Sequence, residues 1–415
     1  MVGNPAVRRL ADWPASDLED LAAEHGTPLY VLDVDRAEAN LHRLERAFPE
    51  AGIHYAVKAN ADGTLLSRFA TTGIGAECAS AGEVRRALDA GFDQSGVLYT
   101  PVNPPARDLD AVIDWWEPGG GLTVTAGAID TIDRLAERGY DGRVAIRVHP
   151  GVGAGHGADV ATGADAKFGI PVEAVESAAG TARERGLSVV GLHAHTGSGI
   201  MDEDVDAHRR VVDTLARLAR EMDTTLEYID VGGGFGVPYR AEESPLDLGL
   251  LADSTTDALA DLDAALVIEP GRYLVADAGV LLTRVNTIKE PPDGYLAGVD
   301  AGMTDLLRPA LYDAHHEIRN LTAESGESTD RSTGRVSVVG PICESTDVFA
   351  RDRDLPTPAR GDLLAIGNAG AYGIEMASQY NSRPRPAVVG LVGSESRVLR
   401  RRESIEDVVA TEVSR

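Results

Sequence analysis

Short apolar runs alternate with amphipathic runs through the first two thirds of the chain. Residues 53–57, 144–148, 189–193, 228–231 and 266–269 are brief apolar segments that read as buried strands. Between them, residues 82–91, 172–185 and 204–222 carry apolar positions at helical spacing, and Gly91 and Gly186 stand where those first two helices should stop. Repeated strand–helix alternation predicts a parallel sheet, either doubly wound or closed as a barrel. The polar residues fall just after strand ends: Lys58, His195, the glycines of 232–236 and Glu269. A doubly wound sheet gathers ligands near one switch point, whereas a barrel gathers function at the carboxyl ends of many strands. The pattern therefore predicts a (β/α)8 TIM-like barrel, placed at residues 27–280.

After about residue 280 the texture changes. Residues 280–288, 335–339, 362–366 and 387–392 are short strands with no long helices between them. They predict a second, β-rich domain of sandwich or barrel type over 281–415, joined by the N-terminal segment 1–26 with its short helix at 15–25. The polar stretch 322–334 reads as an exposed loop.

Composition narrows the function. Acidic residues number 66 and basic ones 39, a formal charge of −27 over 415 residues. That balance argues against a nucleic-acid footprint and against charge-driven attachment to an anionic membrane. A 43% hydrophobic content excludes a disordered acidic chain. Lysine occurs only as Lys58, Lys167 and Lys289. Dense carboxylates with so little lysine point to a protein kept soluble in concentrated salt, an ordinary acidic cytosolic protein being the plainer alternative. Two cysteines make no disulfide framework, and no apolar leader or membrane-length run is evident, so the cytoplasm is expected.

Several motifs carry chemistry. Lys58, in His54-Tyr-Ala-Val-Lys-Ala-Asn60, ends an apolar strand, where desolvation would suit an amine to Schiff-base formation; a strand-edge surface lysine is the alternative. The glycine run Gly232-Gly-Gly-Phe-Gly236 can bring backbone N–H groups to a phosphate or simply close a turn. In His193-Ala-His-Thr-Gly-Ser198, His195 can stack on a planar cofactor and Ser198 can donate to a phosphate. A metal site on the two histidines lacks a third ligand at zinc-like spacing. Glu269-Pro-Gly-Arg272 offers a carboxylate for a pyridinium N–H, or a structural ion pair. Cys343-Glu344 follows a Gly-Pro turn, so a loop cysteine competes there with a buried hydrophobe.

Together with Asp300-Ala-Gly-Met-Thr-Asp-Leu-Leu-Arg-Pro-Ala-Leu-Tyr312, Gly340-Pro-Ile-Cys-Glu-Ser-Thr-Asp347 and Gly370-Ala-Tyr-Gly373, these motifs resemble, in order, the diaminopimelate decarboxylase family. Its members are pyridoxal-phosphate enzymes on an alanine-racemase-like barrel. The resemblance runs from about Thr27 to the C-terminus. It implies decarboxylation of meso-2,6-diaminopimelate to L-lysine, with pyridoxal 5'-phosphate carried by Lys58 as a Schiff base. It further implies His195 against the ring, Ser198, Gly234 and Gly236 on the phosphate with Tyr372 beside it, and Glu269 on the pyridine nitrogen. Arg272, Arg308 and Tyr312 would take the substrate's distal carboxylate and Glu344 its distal ammonium. Cys343 would enter from the second subunit of a homodimer as proton donor.

The chain departs from the family at Gly199, usually glutamine, at Thr304, usually asparagine, and at Val388, usually glutamate; Glu77 stands where related decarboxylases often carry aspartate. The alternative is a relative of the same fold acting on ornithine, arginine or carboxynorspermidine. Such an enzyme would prefer aspartate after the cysteine and have less use for Arg308. An amino-acid racemase would not need the Cys-Glu loop, and an inactive binding protein would not keep Lys58, Cys343 and Glu344.

Overall fold

The computed structural model describes residues 6–151, 154–155, 167–325 and 331–413. They form two compact units, one of Leu41–Val237 with Pro245–Tyr273, the other of Met1–Asn40, Pro238–Ser244 and Leu274–Arg415.

The first unit is the barrel. Among the described residues, eight parallel strands close on themselves in the order Thr123–Ala126, Val97–Tyr99, Gly75–Cys78, Gly52–Ala56, Ala265–Ile268, Tyr228–Asp230, Ser188–His193 and Arg143–His149, the last pairing back to the first. Buried apolar residues of five strands (Leu98, Ala145, Val190, Tyr228 and Val267) pack as one interior cluster, as expected of a filled barrel. The helices stop where the glycines dictate: Ala81–Ala90 ends on Gly91 at φ 102°. The strand expected at 53–57 ends one residue early, and Val57–Ala59 turns as a 3-10 helix.

The second unit is built on a sheet that runs Val348–Pro356, Thr333–Val339, Tyr295–Val299, Gly279–Lys289, Leu29–Asp33, Ala387–Val392, Glu395–Arg400, with Leu363–Ile366 and Ile318–Asn320 off that path. Alternation sets its core. Leu29 and Val31, Val280 and Leu282, Leu363 and Ala365, Ala387 and Val389 share one buried cluster with Leu18, Leu21 and Ala22 of the helix Ala15–His25. The N-terminal helix thus packs with the β-rich unit.

Two sequence expectations change. Leu29–Asp33, placed at the start of the barrel, instead pairs parallel with Ala387–Val392 and antiparallel with Gly279–Lys289. Its partners lie hundreds of residues away, so no local pattern marks it. Of the loop expected at 322–334, Leu321–Ser325 is a helical turn and Thr333–Val339 a strand, while 326–330 lie outside the described residues. Among the described residues, no helix is long and apolar enough to cross a membrane.

Candidate active site

In the barrel unit the charged side chains sit at the carboxyl ends of the strands. The Lys58 turn is pinned locally. Tyr55 Oη donates to the Asn60 carbonyl at 2.9 Å, Asn60 Oδ1 accepts from Asp62 N–H at 3.1 Å, and Asp62 caps the next helix at Thr64 and Leu65. Lys58 is not desolvated as the sequence suggested: its side chain is 39% exposed and its ammonium pairs with Glu77. Glu77 is buried, and burial pushes its carboxyl up to about 7 against the pull of Lys58.

Behind this pair lies a buried cluster that the motifs only partly revealed. His193 Nε2 is 3.3 Å from Glu269 Oε2, and ligand-bearing atoms of His193, Asp230 and Glu269 lie within 4.8 Å of one another. Two carboxylates this close in a buried site cannot both ionise. Burial and the neighbouring Glu269 push Asp230 well above the usual carboxylate range. Burial opposes ionisation of Glu269 too, but His193 and Lys58 hold it below that range. Asp230 therefore carries the proton and Glu269 the charge. Burial pushes His193 down, against the pull of Glu269. Glu269 Oε1 is buried with no hydrogen-bond partner among the described residues. Burial, with Arg147 and Lys58 nearby, pushes His195 down to about 3, and its Nδ1 accepts from Gly233 N–H at 3.4 Å.

The glycine turn is stitched to both neighbours. The Gly234 carbonyl accepts from the N–H groups of Gly199 and Ile200, each at 2.8 Å, and Glu269 N–H donates to the Gly232 carbonyl at 2.9 Å. Gly234 has φ 92°, and a Cβ there would stand 2.2 Å from the Gly197 carbonyl oxygen. Gly199, a departure from the resembled family, has φ 79° and hydrogen-bonds to that turn. Ser198 Oγ accepts from Arg272 Nη2 at 3.1 Å, which joins a residue assigned to substrate with one assigned to cofactor.

His208 supports this segment from below. Thr196 Oγ donates to its Nδ1 at 3.3 Å, and its Nε2–H donates to Thr255 Oγ at 3.0 Å, the Thr255 proton going to the Leu251 carbonyl. One neutral tautomer satisfies all three, and burial pushes His208 down to about 4. Its folded pKa lies below the unfolded value near 6.5, so its contribution is whole above that pH and is lost as pH falls toward 4. Between pH 7 and pH 5 this costs about 2 kcal/mol. In His208→Gln, urea denaturation at the two pH values should show a smaller pH effect by about that amount; identical pH effects in parent and variant would contradict it.

The second unit holds the remaining sequence candidates. Arg308 is buried, its guanidinium 4.7 Å from the Tyr239 ring centroid. Tyr312 is exposed. Cys343 is free and exposed, and its N–H donates to Asn381 Oδ1 at 3.3 Å. Its loop is held by buried Asp347, which accepts from Met303 N–H at 2.6 Å and Ile342 N–H at 2.7 Å. Glu344 accepts a short hydrogen bond from Tyr380 Oη. Tyr372 is half-buried at φ 55°, a conformation that costs a non-glycine residue about 1–3 kcal/mol and so marks a position held for a purpose. Lys58, His195, Ser198, Gly234, Gly236, Glu269 and Arg272 thus share one unit, and Arg308, Tyr312, Cys343, Glu344 and Tyr372 the other.

Sequence reading gave no role to Arg147, Asp230, His316 or Tyr380. For Arg147 and Asp230 the signal was present: each is a charged residue inside an otherwise apolar barrel strand, and buried charges need partners.

Comparison with known proteins places this arrangement in context. The model of the pyridoxal-binding domain of pyridoxal-dependent decarboxylases matches residues 34–276. A diaminopimelate decarboxylase from Methanothermobacter thermautotrophicus is 41% identical, covering 95% of this chain and 93% of its own. One from Deinococcus radiodurans is 40% identical, covering 95% and 98%. The crystal structure of diaminopimelate decarboxylase from Helicobacter pylori complexed with L-lysine matches with a TM-score of 0.87 at 33% identity, over 95% of this chain and 99% of that one.

Proposed function

Because this chain belongs to the diaminopimelate decarboxylase family of pyridoxal-dependent decarboxylases, we propose that it converts meso-2,6-diaminopimelate to L-lysine and CO2, the last step of lysine biosynthesis. The observation that carries this reading is the barrel face itself. It offers an amine at Lys58, a glycine turn at 232–236, and a buried, ionised Glu269 whose Oε1 lacks a partner. That donor set fits pyridoxal phosphate. When bound, the cofactor supplies an electron sink for the pair released as CO2 leaves.

The chain's own residues do the rest. Lys58 would hold the cofactor by its amine. Glu269, kept ionised by its neighbours, accepts from the ring nitrogen and holds a proton on it. His195, neutral at physiological pH, would lie against the ring without adding positive charge. Ser198, Gly234 and Gly236 take the phosphate, and Tyr372 is assigned beside it. Arg272, Arg308 and Tyr312 receive the distal carboxylate, and Glu344, oriented by Tyr380, the distal ammonium. Arginine's planar fork suits a carboxylate. A shorter substrate, or one without the distal carboxylate, leaves these groups unmatched, a source of selectivity.

The Cys343 thiol protonates the carbon that has lost CO2. Its exposed loop fits a homodimer with shared sites, in which Cys343 and Glu344 serve the partner's barrel. The exposure of Leu311 (53%), Tyr312 (48%) and Tyr380 (49%) supports such a face. Cys343→Ala should lower kcat by about 10²–10⁴-fold while the affinity for pyridoxal phosphate, read by dialysis, is retained. Undiminished turnover would remove Cys343 from the chemistry.

The charge of −27 supports a cytoplasmic enzyme of a saline cell, where salt screens the repulsion of its surface. The function is tested by following CO2 and amine products at low and high salt. The substrates are meso-diaminopimelate, ornithine, arginine and carboxynorspermidine. Release from diaminopimelate alone is expected. Release from ornithine with none from diaminopimelate would move the enzyme to the alternative.

A further inference from the structure

The unit that carries Arg308 also contains a buried histidine that none of the steps above uses, His316. Arg308 Nη1 lies 2.8 Å from His316 Nε2, and His316 Nδ1 lies 2.8 Å from the Gly367 carbonyl oxygen. A carbonyl only accepts, so Nδ1 bears the ring proton. A guanidinium only donates, so Nε2 presents its lone pair. The two partners together fix one tautomer and one charge state, a neutral imidazole. Protonation would set an N–H against the N–H of Arg308 in a site where His316 is fully buried. Gly367 is itself anchored: it follows the strand Leu363–Ile366, and its N–H donates to the Glu317 carbonyl at 2.9 Å. Tyr239 adds a third restraint. Its ring lies 4.7 Å from the Arg308 guanidinium and meets the His316 ring edge-on at 5.3 Å and 82°.

We propose that His316 is the positioning residue that orients Arg308 for a carboxylate at the far end of the substrate, and so sets the preference for substrates that bear one. The proposal rests on the assignment of Arg308 to that carboxylate. A guanidinium held by an acceptor on one edge and a ring on one face loses little side-chain freedom when the ligand arrives.

The test uses the holoenzyme and two competitive inhibitors that differ only at the far end. L-Lysine keeps a carboxylate there; 1,5-diaminopentane is the same chain without it. His316→Phe should raise KM for meso-diaminopimelate and the inhibition constant of L-lysine about tenfold, the worth of roughly one hydrogen bond to a charged group. The change in kcat should be smaller than that in KM, and inhibition by 1,5-diaminopentane should not move. His316→Gln, which can accept and donate on the same line, should recover part of the loss. Tyr239→Leu should give the same split and serves if the His316 variants do not fold. Equal weakening of both inhibitors, or a fall in kcat at constant KM, would overturn the proposal. Arg308→Ala separates the two ideas. If Arg308→Ala weakens L-lysine no more than it weakens 1,5-diaminopentane, the assignment of Arg308 falls. If it weakens L-lysine selectively and the His316 variants do not, only the role of His316 falls.

Discussion

Lys58→Ala should leave a folded barrel that has lost the visible absorbance of bound pyridoxal phosphate and at least about 10³-fold of its decarboxylation rate. The fold should survive because the turn is held without the lysine, by Tyr55 on Asn60 and by Asn60 on Asp62. Glu77 loses its cation in this variant. Its carboxyl already sits near 7 because it is buried, so the uncompensated group takes up a proton instead of forcing the site open. Far-UV circular dichroism and the absorption spectrum after incubation with the cofactor check both halves. A variant that keeps colour and rate would contradict the placement of the cofactor.

Glu269→Gln is the second large effect. The substitution keeps volume and removes charge, and the account of the site makes that charge its purpose. Glu269 stays ionised in a buried place because His193 and Lys58 favour its charge and Asp230 holds the proton the pair would otherwise contest. Loss of the carboxylate leaves the ring nitrogen without the anion that keeps it protonated. The expected cost is about 10²–10³-fold in kcat, the range for removing one preorganised electrostatic group. Cofactor binding through Lys58 should remain. Asp230→Asn makes the sharper contrast. It is nearly the same size and equally neutral, so its loss of kcat should be far smaller. If Asp230→Asn cost as much as Glu269→Gln, the assignment of proton and charge would be wrong.

How far these features could be read beforehand depended on range. The barrel was legible because its strands and helices are local patterns: 82–91 and 204–222 appear as Ala81–Ala90 and Val205–Glu221. The helix at 15–25 was legible in the same way. Lys58, His195, the glycine turn and Glu269 were visible because each is a polar or backbone-special position just after an apolar run. Pairing across long stretches of chain was not visible. Leu29–Asp33 is apolar on both faces and reads like any barrel strand, yet its neighbours are Gly279–Lys289 and Ala387–Val392. The same limit hid His316. One residue after another histidine in a polar stretch, it gains its meaning only from the Gly367 carbonyl and Arg308. The charge state of Asp230 depends on Glu269, 39 residues away just past the end of the neighbouring strand, and burial rather than spacing decides it.

The small number of lysines makes the decisive measurement clean. Borohydride reduction of the holoenzyme fixes the pyridoxyl group to whichever amine carries it, and peptide mapping by mass spectrometry then locates the label among Lys58, Lys167 and Lys289. The expected result is one label per chain, on the peptide that contains Lys58. A label on Lys167 or Lys289, or a reduced protein with no label at all, would contradict the barrel face around Lys58 and Glu269 as the catalytic centre.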